Sequence, residues 1–204
     1  MQLEYSESAS RFNLLENGDF KYSSMEDVCW TLDDSATFSY GSSHPVLDSN
    51  RLLMLGESSS SQYAEQTINV SGENGDEIII AGWALGDSIH TDSSIYNFRI
   101  TVQFFKNGES VNNTIYNLYF NENNASSVWQ YNAAEITAPS SFDAITVRIN
   151  SSYNTNAVFF DGIQLYMERI GTSYTYNSAG KVTESVDILD LKTTYSYEQS
   201  CEYV

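Results

Sequence analysis

At 204 residues the chain suits one sizeable domain with an appendage, or two small ones. Nine Lys plus Arg stand against 27 Asp plus Glu, a formal net charge of −18. That balance excludes a basic stripe for nucleic-acid phosphates and disfavours anionic membrane surfaces, leaving neutral partners, cations and basic proteins. No apolar run approaches the roughly 20 residues that span a bilayer.

Abundant Tyr, Phe, Thr, Val and Ile, punctuated by Asn, Ser and Gly, predict an all-β chain. In chain order, residues 1–10 form a polar leader without the basic start and apolar stretch of a secretion signal. "RFNLLENGDF" reads as an apolar strand start running into the turn Asn17-Gly18. "VCWTL", "ATFSY" and "RLLMLG" follow as strands, with "GSSHPVLDSN" and "ESSSS" as loops. "QTINV" places Ile68 and Val70 on one strand face, and "SGENGD" turns into "EIIIAGWALG", whose near-continuous apolar run suits a strand buried on both sides.

The clearest alternation is "YNFRITVQFF": Phe98, Ile100, Val102 and Phe104 point one way, Asn97, Arg99, Thr101 and Gln103 the other. Asn107-Gly108 is a hairpin signal, because both central residues tolerate positive φ. The return strand "TIYNLYF" opposes Tyr116, Leu118 and Phe120 to Asn117 and Tyr119. "VWQYNAAEITA" and "AITVRIN" continue the pattern, the latter burying Ile145, Val147 and Ile149. In "AVFFDGIQLYM" the apolar phase slips from even (Val158, Phe160) to odd (Ile163, Leu165, Met167), so a β-bulge is predicted at Asp161-Gly162. About ten strands over residues 11–170 predict an antiparallel β-sandwich or jelly roll.

The blocks "NLLENGDF", Trp30, "QTINVSGENGDEIIIAGWALG", "VWQYNAAEITAP" and "VFFDGIQLY" together resemble the jelly-roll, galactose-binding-like carbohydrate-binding modules of the xylan- and glucan-binding type. Beyond them, "YTYNSAGKVTES" resembles a YD repeat, the unit of bacterial RHS and wall-associated proteins. Tyr174, Tyr176 and Gly180 match its Tyr-x-Tyr-Asp-x-x-Gly core, and Asn177 stands where Asp is usual. "YSYE" opens a second unit, with Glu198 at that position. Residues 171–204 therefore read as one complete and one truncated repeat. Repeats of this size need neighbours to bury their faces. The resemblance implies further repeats of the same chain as partners, and a secreted or cell-wall-associated location.

Catalysis finds little footing. Histidine is limited to His44 and His90, without HxxxH or HExxH spacing, and no GxSxG elbow occurs. Cys29 and Cys201 are too few for a disulfide framework and read as thiols. Paired carboxylates of a glycosidase are uninformative in a chain this acidic.

Sugar binding asks for flat aromatic surfaces under the C–H faces of a pyranose and planar polar groups for its hydroxyls. Each hydroxyl bond nets about 0.5–1.5 kcal/mol, so several must converge to reach the roughly 4 kcal/mol of a millimolar complex. The strand phases send Arg99, Gln103, Asn117, Tyr119, Arg148 and Asn150 outward on three strands, a set with one aromatic platform and several amide and guanidinium donors. Solvent exposure selects polar residues at such positions too. Tyr40, Tyr63 and Tyr153 read as loop aromatics and rival platforms, while the module resemblance implies that Trp30, Trp83 and Trp129 are core residues.

The resemblance also implies a structural calcium held by backbone carbonyls, a Glu after the "NGxF" turn and an Asp of the last strand. Asp161 matches the Asp, but Lys21 stands at the Glu position, and its ammonium repels a cation. Calcium at Asp161, a Lys21–Asp161 ion pair, or an Asp161 that caps the bulge by a local hydrogen bond are the alternatives. The expectation as a whole is a non-catalytic module that tethers a large extracellular protein to polysaccharide or cell-surface glycan. Its rival is a structural or adhesive spacer that displays or caps the repeats without binding sugar.

Overall fold

The structure, a computed structural model, describes residues 13–22, 29–33, 36–40, 50–56, 61–86, 89, 97–121, 128–167, 173–186 and 192–197. The chain divides into two compact units, Met1–Met167 and Glu168–Val204. Unit 1 carries β1 (Thr31–Leu32), β2 (Ala36–Tyr40), β3 (Asn50–Met54), β4 (Ser61–Ile68), β5 (Glu77–Gly86), β6 (Asn97–Lys106), β7 (Glu109–Tyr119), β8 (Gln130–Thr137), β9 (Ala144–Ser152) and β10 (Val158–Met167). They form two five-stranded sheets: a front sheet ordered β1-β4-β9-β6-β7 and a back sheet ordered β2-β3-β10-β5-β8. Every pairing is antiparallel. The fold is an all-β jelly-roll sandwich, and no helix occurs among the described residues.

The period-two pattern builds the core directly. Phe98, Ile100, Val102 and Phe104 of β6 and Ile145, Val147 and Ile149 of β9 point inward from the front sheet. From the back sheet, Leu52, Met54, Ile78, Ile80, Ala84, Val158, Phe160, Ile163 and Leu165 meet them in one buried cluster. Phe98 packs on Phe160 at 5.3 Å between ring centroids, and Phe104 on Phe142 at 4.9 Å. Truncating a fully buried member such as Ile149 to Ala costs about 2–5 kcal/mol through lost transfer energy and a residual cavity.

The local signals form as predicted at two places. Asn107 and Gly108 take φ of 52° and 80° in the β6–β7 hairpin. In β10 the register shifts between Asp161 and Gln164, with Gly162 at φ 56°, and the apolar phase recovers on the far side.

Three segments differ from the sequence reading. The return strand β7 starts at Glu109 rather than at Thr114, and absorbs a second irregularity at Asn112 and Asn113, both at positive φ, where the β6 register shifts between Gln103 and Phe105. Strand β4 starts at Ser61, inside what reads as loop, because its buried face carries Gln62 and Gln66 in place of apolar residues. The Gln66 amide accepts from Glu16 N–H at 2.8 Å and donates to Glu16 O at 2.9 Å, so it is satisfied by backbone. Residues 13–22 form an irregular segment instead of a strand. They dock on β10 through Leu14 N–H to Leu165 O and Ile163 N–H to Gly18 O, with Asn13 bridging Ile163 and Leu165.

Unit 2 is a three-stranded antiparallel sheet, β11 (Ser173–Tyr176), β12 (Val182–Val186) and β13 (Lys192–Thr194). Asn177 organises its hairpin: the side-chain oxygen accepts from Ala179 N–H at 3.0 Å and Lys181 N–H at 2.9 Å, and Gly180 takes φ 73°. The second Tyr-x-Tyr returns to the first hairpin. Tyr195 N–H donates to Thr183 O at 3.0 Å, Tyr197 OH donates to Val182 O at 2.8 Å, and Lys181 Nζ lies 4.8 Å from the Tyr197 ring centroid.

Candidate functional site

The front sheet gathers all six outward residues singled out in the sequence onto one face. Strand register aligns them in rows: Tyr63–Asn150–Arg99–Tyr119, then Glu65–Arg148–Thr101–Asn117, then Thr67–Thr146–Gln103–Ile115. With strands about 4.8 Å apart, each row is about 14 Å wide. Tyr63 therefore belongs to a strand and to this face, contrary to its reading as a loop aromatic. Tyr40 lies in β2 and its side chain is outside the described residues. Tyr153 sits after β9 at φ 57°, half-buried.

Tyrosine rings hold the two guanidiniums, one by stacking and one by a looser cation–π contact. Arg148 Cζ lies 3.8 Å from the Tyr63 ring centroid, and Arg99 Cζ lies 5.7 Å from that of Tyr119. Arg99 Nη1–H donates to Tyr119 OH at 3.2 Å. Arg148 Nη1 is 3.7 Å from Glu65 Oε2, an ion contact too long for a hydrogen bond and, half-exposed, worth under about 1 kcal/mol. The Nε–H of each arginine is buried without a hydrogen-bond partner. Around them the amides are tied to the sheet: Asn150 donates to Arg148 O at 3.0 Å, Gln103 to Ser110 Oγ at 2.7 Å, and Asn117 to Ile115 O at 3.2 Å.

The back sheet presents a different outer face. Trp83 pairs across strands with Tyr131 and Asp161, its ring 5.1 Å from that of Tyr131. Arg51 Cζ sits 4.1 Å over the Phe159 ring, and Tyr166 lies between Gln164 and Met167 farther along β10. Desolvation by burial, and then the neighbouring Tyr131, raise the Tyr166 hydroxyl above its ordinary pKa.

Trp83 thus corrects the expectation that all three tryptophans are core. The inward positions of β5 on either side of Trp83 and beyond it are Gly82, Ala84 and Gly86, because the core has little room there. A Cβ on Gly82 would meet Ile163 Cδ1 at 2.8 Å and Ile100 Cδ1 at 3.0 Å. The glycines inside the apolar run were the available signal for Trp83 facing outward. Trp129 is half-buried with its Nε1–H unbonded. Trp30 is core, packed at a tilt against Phe20 at 5.6 Å, with Nε1–H shared between Glu16 O and Asn17 O at 3.1 Å.

At the calcium position, Asp161 is fully buried and its Oδ1 accepts from Gly162 N–H at 2.6 Å, the local cap of the bulge. Lys21 is exposed and forms no ion pair with Asp161, which corrects that alternative; an ammonium held at the surface keeps its hydration. Among the described residues no three His, Cys, Asp or Glu side chains gather to hold a metal ion. Cys29 is exposed and donates to Glu16 Oε2 at 2.8 Å; His44, His90 and Cys201 lie outside the described residues. No helix among the described residues is long and apolar enough to cross a membrane.

No protein-family model and no curated protein matches the chain. Among solved structures, its fold is similar to the enzymatically active domain of tailspike protein 4 of bacteriophage CBA120, with TM-score 0.61 and 14% identity over 77% of this chain. The chain spans 22% of that tailspike's length. It is also similar to TmCBM61, solved with β-1,4-galactotriose (TM-score 0.51, 13% identity, 76% of this chain and 99% of that one). A family 16 carbohydrate-binding module gives TM-score 0.51 and 19% identity over 75% of this chain and 99% of that one. At these identities the likeness is one of fold.

Proposed function

We propose that unit 1 is a non-catalytic carbohydrate-binding module whose site is the outer face of the front sheet. The observation that carries this reading is the row Tyr63–Asn150–Arg99–Tyr119, which sets two tyrosine rings and planar polar groups side by side on four strands. Rings supply the platform for sugar C–H faces and the amides and guanidiniums supply hydroxyl partners. Within the three rows Glu65 is the one carboxylate, whereas glycoside hydrolysis uses two. The fold likeness to carbohydrate-binding modules supports the same reading. Within it, the 171–204 segment belongs to a YD-repeat array in a secreted or wall-associated protein, supported by the Asn177 turn and by the second Tyr-x-Tyr packing on the first hairpin.

Affinity electrophoresis of the whole chain through gels containing galactan, xylan or β-glucan tests the proposal. Retardation that Tyr119→Ala and Tyr63→Ala each weaken is the expected result. Uniform mobility in every polysaccharide would remove it.

A spacer that displays the repeats is the second reading. Its support is the exposure of Tyr174, Tyr176, Tyr195 and Tyr197, 44–60% of each being accessible.

A further inference from the structure

We infer that the front-face site selects glycans bearing an anionic group, a carboxylate or a sulfate, over neutral ones. This rests on the sugar-binding reading above and names the ligand class of that same site. The chain is strongly acidic, yet these rows hold two of its five arginines and a single carboxylate. Arg99 faces Asn150 and Arg148 faces Thr101, so the two guanidiniums are diagonal neighbours on adjacent strands.

Their donors are largely uncommitted. A guanidinium carries five N–H donors, and of the two sets the described residues receive one hydrogen bond, from Arg99 to Tyr119 OH. Arg148 has only the loose contact with Glu65. Both groups are nevertheless held in place, Arg148 by stacking on Tyr63 and Arg99 by its hydrogen bond and cation–π contact with Tyr119. A neutral hydroxyl accepts from one of these donors and leaves the charge and most of the fork unused. A charged, multidentate acceptor matches the guanidinium fork and makes the shorter, stronger charge-assisted bonds. Stacking also lowers the rotamer entropy that an arginine loses on binding.

The test is calorimetric titration of the whole chain at fixed ionic strength with four trisaccharide probes: galactotriose, trigalacturonate, methyl-esterified trigalacturonate and sulfated galactotriose. Short probes limit long-range repulsion from the net charge of −18. The expected result is that trigalacturonate, sulfated galactotriose or both bind at least about tenfold tighter than the neutral sugar and the ester. Which of the two does so identifies the anion. Arg99→Gln and Arg148→Gln should each weaken the anionic probes about tenfold more than they weaken the neutral sugar, and Arg148→Lys should restore only part of that difference, since an ammonium lacks the fork. Thermal melts check that the variants fold.

Neutral and anionic probes binding equally, or the neutral probe alone binding, overturns the charge preference and leaves the sugar-binding site standing. Equal losses for charged and neutral probes in the Arg→Gln variants also overturn it. Absence of binding to all four probes, together with unretarded mobility in every polysaccharide gel, overturns both.

Discussion

On the front sheet the outward residues of the edge strand β7 stand open, Tyr119 at 59% and Ile115 at 52% exposed, while Thr101 of the central β6 is 8% exposed. On the back sheet, Ala81, Leu85 and Asp161 also point away from the core cluster, yet they are 1%, 4% and 0% exposed, and Arg51 is 8% exposed. Both faces come from the same two-residue alternation. The difference teaches that alternation sets the side of the sheet on which a residue lies, while burial depends on what else packs there. The exposed outward residues of the front sheet are therefore available for binding at small cost to stability, whereas the buried outward residues of the central back-sheet strands β5 and β10 are bound up with the fold.

The sharpest challenge to this contrast is Trp83→Ala. Losing the half-buried indole and its contact with Tyr131 should lower stability by about 2–3 kcal/mol in urea unfolding, and a loss below about 0.5 kcal/mol would make the two faces equivalent. Gly162→Ala comes next. Placing a Cβ at φ 56° in the β10 bulge should cost about 1–2 kcal/mol; an unchanged midpoint would mean that the bulge relocates.

On the front face, Tyr119→Ala and Arg148→Gln should stay within about 0.5 kcal/mol of the parent stability, and a larger loss would show that this face, too, is structural. The smallest effect concerns Tyr166. Its raised pKa favours the protonated phenol in the folded state, so its contribution is complete below the ordinary tyrosine value near 10 and is lost as pH rises through the folded value. Tyr166→Phe should flatten that alkaline decline in a pH series of melts, and a variant that declines as steeply as the parent would place the titration elsewhere.

Much of this was readable beforehand because it depends on local rules. The Phe98–Phe104 row, the Asn107-Gly108 hairpin and the slipped phase at Asp161-Gly162 follow from period two and from backbone sterics, and the six outward residues follow from the same phases. Strand β4 is not legible in the sequence because Gln62 and Gln66 occupy its buried face; the distant Glu16 backbone explains why the Gln66 amide is acceptable there. The side on which Trp83 lies is not legible from its neighbours' hydropathy, because a run apolar at both parities carries no phase.

By itself the sequence determined the class of fold, the strand phases and the sidedness of Arg99, Gln103, Asn117, Tyr119, Arg148 and Asn150, since each depends on neighbours within a few residues. Only the tertiary structure decided that β4 lies beside β9, bringing Tyr63 and Glu65 to Arg148, and that the outward Ala81, Leu85 and Asp161 of the back sheet are buried. Those outcomes are pairings between segments about 80 or more residues apart, which long-range packing selects and no local pattern encodes.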